Sequence, residues 1–138
     1  EAAVEGFLGQ PMIVRPKAQE ILAGLVRDPT FGPVVMVGHG GVAVEVLADR
    51  VLGLAPLDLA LARDMIGRTR VSRLLAGYRD RPPADLDALA AVLVALGRLA
   101  VDLPEVAELD LNPVLCDESG ALAVDARVAV RSPGSPPR

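Results

Sequence analysis

Tryptophan is absent from the sequence, and Phe7, Phe31 and Tyr78 are its whole aromatic complement. Sequence-tolerant binding of single-stranded nucleic acid relies on stacking rings beside a basic groove. This chain offers neither. Its 14 Lys and Arg stand against 18 Asp and Glu, for a formal charge of −4, and the pI is about 4.9. The balance argues against nucleic acid as a partner, so phosphate would have to be met by a local arrangement of groups. Cysteine occurs once, at Cys116, which rules out an internal disulfide or a sulfur-ligated metal cluster and makes a reducing cytoplasm the default setting. Long apolar runs are missing as well. Although 51% of the residues are hydrophobic and the mean hydropathy is +0.40, the longest uninterrupted run covers residues 88–97, between Asp87 and Arg98. A membrane span needs roughly 20 apolar residues, so this run reads as a buried helix and no membrane partner is expected. The sequence opens on Glu1 with no initiator methionine and no visible leader, as expected for a piece of a longer protein or a processed one.

With 138 residues the chain is long enough for one domain with a real core. Residues 6–14 and 19–27 read as two strands joined by a hairpin around Arg15-Pro16-Lys17. Pro11 limits the first to an edge or irregular strand, because proline cannot donate to a ladder. Asp28-Pro29-Thr30-Phe31-Gly32-Pro33 is turn chemistry. A compact buried strand, residues 34–38, then runs into His39-Gly40-Gly41, where glycine lets the backbone approach another group closely. Residues 42–47, with Glu45 among apolar neighbours, are expected to return along that strand. Asp58 is placed to cap a helix over 59–68, and a further short helical turn is expected over 71–76. Asp85 opens the strongest helix, with Leu86, Leu89, Ala90, Leu93, Leu96 and Leu99 at helical spacing, and Pro104 stops it. This order of elements predicts a mixed α/β (α+β) domain over 1–131, a mostly antiparallel sheet covered by helices. Residues 132–138, rich in proline and serine, are expected to form a disordered tail.

The most informative stretch is Glu108-Leu109-Asp110-Leu111-Asn112-Pro113, with the return strand Ala123-Val124-Asp125-Ala126-Arg127. Alternation puts Leu109 and Leu111 on one face and Glu108, Asp110 and Asn112 on the other. Asp117-Glu118-Ser119-Gly120 reads as the hairpin loop, and Leu122, Val124, Ala126 and Val128 mark the apolar face of the return strand. If Cys116 pairs with Ala121, Asn112 falls opposite Asp125 and Asp110 opposite Arg127. Directly opposed side chains have Cβ atoms about 4.5–5.5 Å apart, so an amide oxygen and a carboxylate could close on one small cation beside a guanidinium. That arrangement suits Mg²⁺ and phosphate.

Taken together, Arg27-Asp28-Pro29-Thr30-Phe31-Gly32-Pro33, Gly40-Gly41-Val42 with Glu45, Leu75-Ala76-Gly77-Tyr78-Arg79, the Glu108 to Pro113 stretch and Val124-Asp125-Ala126-Arg127 resemble the carboxy-terminal ATP-grasp subdomain of NDP-forming (ADP-forming) acyl-CoA synthetases, relatives of succinyl-CoA synthetase β subunits. The motifs come in the family's order, from about Val4 to Val130. The resemblance implies binding of ATP or ADP with Mg²⁺ and phosphoryl exchange with a phosphohistidine carried outside this chain. It implies Asn112 and Asp125 as metal ligands, Asp110 beside the incoming histidine and Arg127 as a phosphate neutraliser. Gln10 and Met12 fall on the strand that edges the adenine, Glu20 on the acidic position facing the nucleotide, and Gly40 and Gly41 in the turn near the phosphates. His39 does not match the family's phosphohistidine. The partners implied are an amino-terminal ATP-grasp subdomain and CoA-binding and ligase domains, so the fragment alone is expected to be inactive.

Other readings stand beside these. Asp110 and Arg127 could be an ordinary surface pair, Asn112-Pro113 a turn dipeptide, and Glu20 and Glu45 solvated strand residues. A different class of function is a regulatory domain that senses acyl-CoA or nucleotide and is fused to a protein lysine acetyltransferase. A third is a purely structural domain.

Overall fold

The computed structural model describes residues 3, 5–41 and 48–131. In chain order its elements are β1 (Gln19–Asp28), β2 (Gly32–His39), β3 (Arg50–Leu54), α1 (Leu59–Arg68), α2 (Ser72–Leu75), α3 (Leu86–Asp102), β4 (Val106–Asp117), β5 (Gly120–Ala123) and β6 (Ala126–Val130). The six strands form one sheet in the order β3-β2-β1-β4-β5, with β6 also on β4. Every pairing is antiparallel. The second edge of β4 is shared, its carboxy-terminal half going to β5 and its amino-terminal half to β6.

Local chemistry sets the boundaries. Asp28 Oδ1 accepts the N–H groups of Thr30 and Phe31, each at 2.8 Å, and so closes the β1–β2 turn. Asp58 and Asp85 cap α1 and α3 by accepting from Leu61 N at 2.7 Å and Ala88 N at 3.0 Å, which satisfies first-turn donors that have no partner inside the helix. At the other end of α3 the Arg27 guanidinium donates to the carbonyls of Ala100 and Leu103 at 2.7 and 3.0 Å and to Val106 O at 2.7 Å. One side chain thereby ties the helix terminus to the start of β4.

The helices cover a single face of the sheet. Ile21, Ala23, Leu25, Val35 and Val37 pack there against Ala62, Met65 and Ile66 of α1 and Leu89, Ala90, Leu93 and Leu96 of α3, all of them buried. Full burial of a side chain of this size stabilises by about 1.5–3 kcal/mol, so this layer holds the fold together. β3 can approach α1 closely because Gly53 has no side chain; a Cβ there would lie 2.5 Å from Met65 Sδ.

Three expectations are corrected, on the segment 6–14 and its hairpin, on the length of the β4–β5 loop and on the burial of Val128. No strand forms over residues 6–14: Pro11 interrupts the donors, no strand among the described residues pairs with the segment, and Phe7 and Met12 are 97% and 88% exposed. Instead of turning a hairpin, Arg15 donates to Asp117 Oδ1 at 3.1 Å and Gly120 O at 3.2 Å, tying the segment to the β4–β5 turn. The strand that returns along β2 is β3, whereas the run 42–47 and Glu45 lie outside the described residues. Finally, Asp117 pairs with Gly120, so the β4–β5 loop is only Glu118-Ser119. Val128 and Val130, on β6 at the edge of the sheet, are exposed rather than buried.

Candidate functional site

The face of the sheet away from the helices carries the polar residues. Asp110 pairs with Arg127 and Leu111 with Ala126, while Val114 pairs with Ala123 and Val124 N donates to Pro113 O at 3.0 Å. Both flanks share one register, so Asn112 and Asp125 oppose each other across the gap between β5 and β6. The pairing counted from the hairpin therefore holds.

On its other edge β4 is irregular at the same place. Ile21 pairs with Val114 and Ala23 with Leu111, which leaves Asn112 and Pro113 together opposite Leu22. Such a bulge bends the strand and re-aims a side chain. Here it directs Asn112 towards the end of β2, where its Oδ1 accepts the Gly41 N–H at 3.0 Å. Gly40 N donates to Glu20 O at 2.8 Å, and the Glu20 carboxylate occupies the space into which a Gly41 side chain would project. Glu20, Gly40, Gly41 and Asn112 thus come together, although they are far apart in sequence. Asp125 is exposed and its carboxylate accepts Ala126 N at 2.9 Å.

One step along the sheet, an open concavity of about 340 Å³ is lined by Met36, Glu108, Asp110 and Arg127, among others. Asp110 is half-buried and Arg127 exposed, and the two are not joined by an ion pair. Glu108 had no assigned role from sequence, yet it lines this concavity. Its alternation with Asp110 was the available signal. Gln10 and Met12 are exposed in the unpaired amino-terminal segment, and no hydrogen bond joins them to the cluster. Cys116 lies on the helix side. Burial, followed by the nearby charges of Asp117 and Asp85, pushes its thiol up to about 11 despite Arg15, so it remains protonated and inert.

Among the described residues no group of three or more His, Cys, Asp or Glu could hold a metal unaided. An amide oxygen and a carboxylate are nevertheless the hard donors Mg²⁺ takes, and Mg²⁺ commonly completes its shell with water and phosphate oxygens. The residues fit half of such a shell. Among the described residues no helix is long and apolar enough to cross a membrane.

The fold is thus an antiparallel sheet with helices on one face and a glycine turn, an amide and carboxylates on the other. The chain belongs to the ATP-grasp domain family, which its residues 1–130 match. It is 44% identical over 130 residues to acetate–CoA ligase (ADP-forming) I of Archaeoglobus fulgidus, covering 94% of this chain and 19% of the relative. To the β subunit of the Pyrococcus furiosus acetate–CoA ligase (ADP-forming) I it is 43% identical, over 82% of this chain and 49% of the subunit. Among solved structures it resembles the dinucleotide-forming acetyl-coenzyme A synthetase 1 of Ca. Korarchaeum cryptofilum, in complex with coenzyme A and Mg-AMPPCP, whose phosphohistidine segment points towards the nucleotide binding site. That match has a TM-score of 0.81 and 43% identity, over 85% of this chain and 55% of the other. The chain thus spans from a fifth to about half of the proteins it matches.

Proposed function

We propose that this chain is the carboxy-terminal ATP-grasp subdomain of an NDP-forming acyl-CoA ligase and supplies one wall of its ATP- and Mg²⁺-binding cleft. The ligase interconverts acyl-CoA, ADP and phosphate with acid, CoA and ATP through a phosphohistidine outside this chain. The observation that carries the reading is the opposition of Asn112 and Asp125 beside the Gly40-Gly41 turn, with Asp110 and Arg127 at the next position along the same face. Phosphoryl transfer depends mainly on positioning and charge neutralisation, and these residues supply both. Asn112 and Asp125 would hold Mg²⁺, which neutralises phosphate charge when bound. Asp110 accepts a hydrogen bond from the incoming imidazole and fixes its orientation, and Arg127 offsets phosphoryl charge. Gly40 and Gly41 let the backbone near the phosphates, and Glu20 faces the nucleotide. Gln10 and Met12 edge the adenine once the amino-terminal segment has its partner subdomain beside it. The remaining partners are the CoA-binding and ligase domains, in the cytoplasm.

Calorimetry on the full-length protein tests this. Mg²⁺ should strengthen ADP binding, and Asn112→Ala or Asp125→Ala should weaken the Mg²⁺-dependent part by at least about 10-fold, since even groups that only support a metal ligand are worth that much. Unchanged Mg²⁺ dependence in both variants would sink the proposal.

A further inference from the structure

We infer that Gly41, besides its place in the turn near the phosphates, is a positioning residue of the metal half-site that acts through Asn112; the inference rests on the proposed role of Asn112. The Asn112 side chain can present either an oxygen or an NH₂ group to the turn, and only the oxygen can hold a cation. The Gly41 N–H is a donor and nothing else, so it selects the orientation with Oδ1 towards it, at 3.0 Å. A carbonyl oxygen has two lone pairs, so one remains for a metal.

Two features make this dependent on glycine. Gly41 has φ +64°, in the left-handed region that other residues enter at a cost. A Cβ there would also overlap the Glu20 carboxylate, displacing a group that shares the turn. The backbone around it is fixed, because Gly40 N donates to Glu20 O and a Cβ at Gly40 would meet Ile21 C at 2.7 Å. The turn is thus clamped to β1 while its last N–H reaches past β1 to β4. Through this one bond, placement of the Gly40-Gly41 turn is communicated to the metal ligand on the bulge of β4.

The test uses the full-length protein and reads ADP affinity with and without Mg²⁺. Gly41→Ala should raise the Mg²⁺ concentration needed for half-maximal strengthening by about 10-fold, the effect of losing a group that orients a metal ligand, a larger factor than its loss of affinity for metal-free ADP. In an Asn112→Asp background, where either orientation presents an oxygen, the same substitution should cost less than about 3-fold, because coupled positions are not additive. Equal losses with and without Mg²⁺, or the same loss in both backgrounds, overturn the inference. If Gly41→Ala fails to fold, it is combined with Glu20→Ala, which removes the carboxylate that a Cβ at Gly41 would overlap, and is compared with Glu20→Ala alone. The two readings fail separately: no effect of Asn112→Ala removes the metal assignment itself, whereas an effect of Asn112→Ala with none from Gly41→Ala removes only the role of Gly41.

Discussion

On one face of the sheet Ile21, Leu25, Val35 and Val37 lie sealed under α1 and α3; on the other Glu20, Glu108, Asp110 and Arg127 stand open. β1 and β4 contribute to both faces by simple alternation. The sealed face is apolar, lies against helices and accounts for stability. The open face is mixed, apolar at Leu52 and Leu54 of β3 and charged along β4; it lacks a covering layer among the described residues and carries the groups suited to phosphate and a divalent ion. Substitutions should therefore divide cleanly, with those beneath the helices lowering stability and those on the open face lowering phosphoryl chemistry.

The largest stability effect should come from Leu93→Ala, since Leu93 is fully buried on α3 and truncation of a buried leucine costs about 2–5 kcal/mol. Denaturant unfolding measures this, and a loss below about 1 kcal/mol would break the contrast between the faces. A smaller effect is expected at Cys116. Its folded thiol titrates near 11 rather than 9.0, so the folded state holds the proton more tightly than the unfolded state. The associated stability is fully present below pH 9 and is lost as pH rises towards 11, by an amount on the order of 2–3 kcal/mol. Unfolding of the wild type and of Cys116→Ala across pH 8–11 reads the difference; parallel profiles would contradict the burial argument.

Much of this was legible in the residues because local chemistry and period agreed. Asp58 and Asp85 announced both long helices, Pro104 ended the second, and the pairing of Cys116 with Ala121 carried through to Asp110 opposite Arg127. β3 was not legible. Val51 and Gly53 face inwards while Leu52 and Leu54 are exposed, the reverse of what hydrophobicity suggests, because the close approach of α1 leaves no room for a side chain at Gly53. The amino-terminal segment misled in the opposite direction. Its apolar alternation resembles a strand, but a strand exists only where another strand accepts its ladder. Within the site, opposition across β4 could be counted, whereas the bulge at Asn112-Pro113 and the reach of Gly41 to Asn112 depend on long-range packing that no spacing reveals.

The central claim is that the open face is half of a phosphoryl-transfer site, and acid-labile histidine labelling of the full-length protein with γ-labelled ATP and Mg²⁺ tests it most directly. The wild type should label, and Asn112→Ala and Asp125→Ala should not, with the unfolding free energy of Asp125→Ala within about 0.5 kcal/mol of wild type, as for a surface position, and that of Asn112→Ala lower by about 1 kcal/mol for the lost Gly41 hydrogen bond. Full labelling of both variants would contradict the account.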